Sequence, residues 1–221
     1  MLKLTSAAKK KAAQAAATPI NVVIVTLDDH LASAAARAQK TLSRELPGLQ
    51  LKLHAVTEFL DDGPARERCL ADIASADILV ATMLFLEEHI QAVLPSLQER
   101  APHCDAVLGC MSGGEIVKLT RLNRFKMDGS SGGTLALLKK LRGKDDGKEK
   151  EDKQGAAGAQ QMKMLRRIPQ LLRFVPGAAQ DVRNYFLGLQ YWLAGSDDNL
   201  TNMVRLLVDR YADGERKGLR G

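Results

Sequence analysis

The residues of this chain best suited to chemistry fall in three short clusters and one basic stretch. Asp28-Asp29-His30 follows one apolar run, Glu87-Glu88-His89 stands after another, and Ser112-Gly113-Gly114-Glu115 after a third. Carboxylates beside an imidazole can hold a divalent cation or move protons. Small residues that open a helix leave backbone N–H groups free for an anion. Lys163, Arg166, Arg167 and Arg173 give one helix a basic face suited to an acidic partner or a carboxylate-bearing ligand. Tyr185, Phe186, Tyr191 and Trp192 could line a flat aromatic pocket.

Each cluster also has a plainer reading, and the residue types favour it. Asp28 and Asp29 are suited to cap the helix that follows them, and Glu87 and Glu88 to sit in a first helical turn where the helix dipole stabilises them. Ser112 and Gly113 fit a tight strand-to-helix turn, and aromatics at helical spacing are usually core. A dinucleotide site after the first strand would need glycines, and GxGxxG is absent there. A phosphorylation receiver domain would need an aspartate at the end of the third strand, where the sequence reads Ala81-Thr82-Met83. His103, Cys104 and Cys110 have no zinc spacing, so the three cysteines, Cys69 included, are expected as buried free thiols. The sheet-edge candidates are therefore Asp28, Glu87, Glu88, Ser112 and Gly113, with no catalytic residue and no metal ligand assigned.

The elements that must position these residues follow from periodicity. Asn21–Leu27 is a β-branched run of the kind buried on both faces of a parallel sheet. Leu31–Leu46 reads as a helix closed by Pro47-Gly48, and Gln50–Val56 as a second strand. Helices at 64–75 and 87–100 alternate with strands at Asp77–Met83 and Asp105–Cys110. The expected fold is α/β, a flavodoxin- or Rossmann-like parallel sheet of about four strands with helices on both faces, followed by a helical extension. After Cys110 the strand signal stops, so the sheet is expected to finish there, with helices at Glu115–Leu122 and Thr134–Leu141. Further on, Gly195 suits a helix C-terminus and Ser196 the cap of the next, which makes an antiparallel helical hairpin.

Four segments result: a disordered basic leader at 1–18, a parallel α/β domain at 19–142, a flexible charged linker at 143–160, and a helical segment at 161–221 continuing into further domains. The linker (GKDDGKEKEDKQGAAGAQ) has no apolar residue larger than alanine to offset the entropy of ordering it. The net charge of +6 looks suggestive of nucleic acid, but four of those charges are leader lysines, and aromatics make up only 4% of the chain. Nucleic acid is therefore set aside. No apolar run is long enough to cross a bilayer, and cysteine usage suits a reducing cytoplasm.

Three stretches carry a resemblance: Val22–Asp28 (VVIVTLD), Leu84–His89 (LFLEEH) and above all Phe174–Leu200 (FVPGAAQDVRNYFLGLQYWLAGSDDNL), with Leu189–Leu200 the most diagnostic. Together they resemble the N-terminal region of the large, porphyrin-binding subunit of magnesium chelatase, over about Ile20 to Tyr211. The alternatives are the related cobalt chelatase subunit, which fits the aromatic LQYWL segment less well, and a non-catalytic flavodoxin-like or receiver-like interaction module, against which Thr82 speaks. The resemblance implies a subunit of a ligase that forms nitrogen–metal bonds, inserting Mg²⁺ into protoporphyrin IX towards chlorophyll or bacteriochlorophyll. It also implies two smaller partner subunits that hydrolyse ATP, in keeping with the absence of a P-loop here. It brings in the remainder of the large subunit as a partner. Given such a substrate, the basic face and the aromatics of the helical segment make Arg166, Arg167, Arg173, Tyr191 and Trp192 the substrate-binding candidates. Members of that family are several times longer, so this chain is expected to be a fragment whose catalytic residues lie elsewhere.

Overall fold

The computed structural model describes residues 18–27, 29–129 and 167–221. The leader up to residue 17, Asp28, the expected helix Thr134–Leu141, the linker, Lys163 and Arg166 lie outside the described residues.

Among the described residues six strands form one sheet, in the order β2-β1-β3-β4-β5-β6. β1 (Ile20–Thr26), β2 (Leu49–Ala55), β3 (Ile78–Thr82) and β4 (Ala106–Cys110) are parallel neighbours. They are joined by α1 (Ala32–Glu45), by α2 (Val56–Phe59) with α3 (Gly63–Ser75), and by α4 (Glu87–Arg100). The α/β class and the four parallel strands are as the sequence leads one to expect. The sheet does not stop at Cys110, however. After the short α5 (Gly114–Lys118), the two-residue strands β5 (Arg121–Leu122) and β6 (Phe125–Lys126) add an antiparallel hairpin. The expected helix Glu115–Leu122 thus ends at Lys118.

Thr120 explains the turn. Its hydroxyl donates to the Gly109 carbonyl at 2.9 Å and accepts from the Gly109 amide at 3.1 Å, which satisfies the edge of β4 and sends the chain back beside it. Only glycine fits at 109, because a Cβ would stand 2.2 Å from the Ile116 carbonyl oxygen. The Arg121 guanidinium then fastens the hairpin by donating to the carbonyls of Ala101 and Cys104.

Alternation along the strands divides the core in two. Val23, Val25, Leu79, Ala81 and Val107 face α2, α3 and α4 in one apolar cluster. Ile20, Val22, Ile24, Ile78, Val80, Ala106 and Leu108 face the other way. That second face is shared by α1, α6 (Ala178–Ala194) and α7 (Asp197–Tyr211), so the C-terminal hairpin is a layer of the same core. On α1, Ala34, Ala35 and Ala38 make up much of the buried stripe, and their small side chains let α7 pack closely. Glycine at 188 serves the same end on α6, where a Cβ would meet Leu108 Cδ2 at 2.9 Å.

The hairpin turn is built as its residues dictate. Gly195 adopts φ 64° at the end of α6, and the Ser196 hydroxyl accepts from the Asn199 amide at 3.2 Å to cap α7. Two surface ion pairs align α7 with α1: Arg37 with Asp197 at 3.1 Å, and Arg205 with Glu45 at 2.8 Å. The closing 3₁₀ turn Gly214–Leu219 is anchored by Arg216, whose guanidinium reaches Asp105 at 2.8 Å and Asp77 at 3.2 Å.

Leu207 on α7 is fully buried in this layer. Leu207→Ala is expected to cost about 2–5 kcal/mol. It should lower one cooperative unfolding transition seen equally by far-ultraviolet circular dichroism and Trp192 fluorescence, whereas two separated transitions would show that the hairpin folds apart from the sheet.

Candidate functional site

The carboxyl edge of a parallel sheet is where ligands of open α/β folds usually sit. Here that edge is closed by its own loops. Met83 and Met111 follow β3 and β4, both with left-handed backbones at φ 63° and 48°, and the Met83 amide donates to the Met111 carbonyl at 2.9 Å. The Ser112 hydroxyl accepts from the Leu84 amide and donates to the Cys110 carbonyl, each at 3.1 Å. The Gly113 amide donates to the Leu84 carbonyl at 2.7 Å, and a Cβ at 113 would lie 2.6 Å from Ile90 Cδ1. Ser112 and Gly113 are thereby committed to a tight turn.

The acids of this edge do not converge. Glu87 and Glu88 occupy the first turn of α4, exposed, as helix-terminal acids should. Glu87 accepts from Gln91 at 2.7 Å, and Glu88 lies 3.7 Å from the Nε2 of His89, which is buried. Asp29 does not cap α1. Only its backbone carbonyl accepts, from the Ala32 amide at 2.7 Å, and Leu31 holds the cap position with no side-chain bond. β3 ends in Thr82, so no carboxylate stands at that strand end. Among the described residues no three His, Cys, Asp or Glu side chains group to hold a metal.

The aromatics of α6 are mostly core. Tyr185 packs edge-on against Phe125 and against Phe186, both at 5.4 Å between ring centroids, and burial pushes its phenol pKa up. Trp192 is 4% exposed and stands edge-on to His30 at 6.3 Å. Tyr191 is half-buried. Arg167 and Arg173 are exposed, and the Arg173 guanidinium lies 5.5 Å from the centre of the Phe174 ring, within cation–π range. Their segment, helical over 167–171, is pinned to α6 by Arg183 donating to the Pro169 carbonyl at 3.0 Å and by Ile168 and Leu172 in the core. Leu171, Phe174 and Val175 are left exposed, Phe174 at 85%.

A polar cleft opens at the opposite, amino edge, with a volume of about 430 Å³. Its buried residues are Asp181 and Asn184 of α6. Asn184 donates to the Tyr211 hydroxyl at 3.0 Å, which in turn donates to Asp181 Oδ1 at 3.2 Å. Asp181 Oδ2 accepts from the Arg124 amide at 3.3 Å and from Asn123 at 3.4 Å, holding the β5–β6 turn, where Asn123 has φ 53°. Burial pushes the Asp181 carboxyl pKa up, against the pull of these donors. Exposed Arg124 and Arg210 stand at the rim. The sequence does not announce this cleft. Asp181 looks like an ordinary first-turn acid, and the hairpin that brings Arg124 to it is two strands of two residues each.

Comparison with known proteins places this architecture. The model of the family described as Domain of unknown function (DUF3479) matches residues 21–186, from β1 into α6. The chain belongs to this family. The chain is also 48% identical over 198 residues to the magnesium-chelatase H subunit of Cereibacter sphaeroides, covering 89% of this chain and 16% of that protein. It is 44% identical over 194 residues to the protein of the same name from Rhodobacter capsulatus, covering 87% of this chain and 16% of that protein. Against the chloroplastic magnesium-chelatase ChlH subunit of Oryza sativa subsp. indica, identity is 29% over 198 residues, 87% of this chain and 14% of that protein. The resemblance read from the sequence is borne out, and the chain spans about a sixth of the length of these relatives. No helix among the described residues is long and apolar enough to cross a membrane.

All three thiols of the DUF3479 domain are free and buried, and burial pushes Cys69 up to about 12 and Cys104 and Cys110 up to about 11. A thiolate nucleophile is therefore withheld at neutral pH. A disulfide reagent at pH 8 is expected to label none of the three in the folded chain and all three after unfolding in guanidinium, counted by absorbance.

Proposed function

We propose that this DUF3479 domain is the N-terminal segment of a magnesium chelatase large subunit, the component that binds protoporphyrin IX for ATP-driven insertion of Mg²⁺. In this reading two smaller partner subunits hydrolyse the ATP, the complex works in the cytoplasm, and the product feeds chlorophyll or bacteriochlorophyll synthesis. The segment serves as an assembly and substrate-supporting domain, and the metal-insertion chemistry belongs to the remainder of the large subunit.

The observation that carries the reading is the extensive identity to magnesium chelatase subunits over nearly the whole chain. Two physical features support the supporting role. At the carboxyl edge the Ser112 hydroxyl and the Gly113 amide are engaged with the neighbouring loop at Leu84, which withholds them from a substrate. Leu171, Phe174 and Val175 are exposed together beside the Arg173 guanidinium, and an apolar patch rimmed by charge is the usual mark of an interface. The remainder of the large subunit is the partner that would cover it. Exposed Arg167 and Arg173, with Arg166 next to them in sequence, would offer guanidinium groups to the propionates of a porphyrin. Trp192 acts from the core, by seating α6.

Replacing Arg166, Arg167 and Arg173 together by alanine in the full-length subunit is expected to weaken porphyrin binding about tenfold, roughly 1.4 kcal/mol, in a titration followed by porphyrin absorbance. Unchanged affinity would remove the propionate contact and leave the segment an assembly domain alone.

A further inference from the structure

We propose that the amino-edge cleft binds the oxyanion group of a small molecule, a carboxylate or a phosphate, between the guanidinium groups of Arg124 and Arg210. Its volume of about 430 Å³ is the size of a small-molecule site. Other arginines of this edge already have partners. Arg216 is held by Asp105 and Asp77, Arg100 reaches Asp77, Arg121 donates to carbonyls, and Arg220 lies 3.5 Å from Asp213. Arg124 and Arg210 differ: neither guanidinium has a hydrogen bond or an ion pair among the described residues, although both line the same cleft. Two forked cations flanking one concavity suit a group with two or three equivalent oxygens.

The acid in the cleft offsets this pair only in part. Asp181 is 7% exposed, and its oxygens already accept from Tyr211, Asn123 and the Arg124 backbone. It is committed to holding the turn and the α7 terminus, and Arg124 attracts it through space without closing to a contact ion pair. Asn184 and Gln180 also line the cleft. α6 also begins here at Gly177, with no side-chain cap, so the partial positive charge of its amino end adds to that of the arginines. The site is independent of the porphyrin reading, since it uses none of Arg166, Arg167 or Arg173.

The test is a titration of the ¹⁵N-labelled 221-residue chain with inorganic phosphate and, separately, with succinate, following arginine Nε–H resonances at constant ionic strength against sodium chloride. Saturable shifts of Arg124 and Arg210 are expected at millimolar concentration, with Arg37 and Arg44 unmoved. The stronger arm identifies the class, phosphate or carboxylate. Arg210→Gln and Arg124→Gln change exposed residues and should each weaken the saturable phase at least tenfold, while Arg210→Lys retains part of it. Linear shifts shared by Arg37 and Arg44, or saturation unaffected by both glutamine variants, would overturn the proposal.

Discussion

A parallel sheet has two apolar faces, and neither can be left to water. In this chain the described residues up to Gly129 supply helices for one face in full but only α1 for the other. The rest of that second face, from Ala106 and Leu108 of β4 to Leu122 and Phe125 of the hairpin, is covered by α6 and α7. Much else follows from that need for cover. Alanines on α1 and glycine at 188 let the helices come close, Gly195 and Ser196 turn the chain sharply between them, and Arg216 pins the returning tail to Asp105 and Asp77.

The same arrangement reverses the usual polarity of an open α/β fold. The carboxyl edge is knit shut by Ser112, Gly113 and the left-handed Met83 and Met111, so its backbone donors face inward to partners within the chain. The amino edge is the open one, because α6 enters there over the β5–β6 turn and leaves a polar gap beside the end of α7.

Periodicity reveals a great deal of this and stops at definite places. The β-branched strands, the helix Glu87–Arg100, the buried thiols and the Gly195-Ser196 turn are legible because each depends on residues close in sequence. β5 and β6 are not, because two residues carry no period and the hairpin is held by Thr120 and Arg121 reaching distant carbonyls. Asp29 misleads, since a good capping residue was passed over in favour of Leu31. The cleft is hidden for the same reason as the hairpin: Asp181 meets Arg124 across 57 positions, a separation that only the folded topology closes.

That topology has a kinetic side. Arg37 meets Asp197, and Glu45 meets Arg205, each across 160 residues, so the face of the sheet that α1 begins to cover waits for the far end of the chain. Contacts of such span slow the search for the native state and keep apolar surface open meanwhile. During synthesis the β1–β4 sheet can form its backbone ladder long before α7 leaves the ribosome, but one side of it has only α1 for cover until α6 and α7 follow. The long interval between Gly129 and Arg167 therefore sets the length of a vulnerable period, in which a chaperone that shields a single apolar sheet face would have the most to protect.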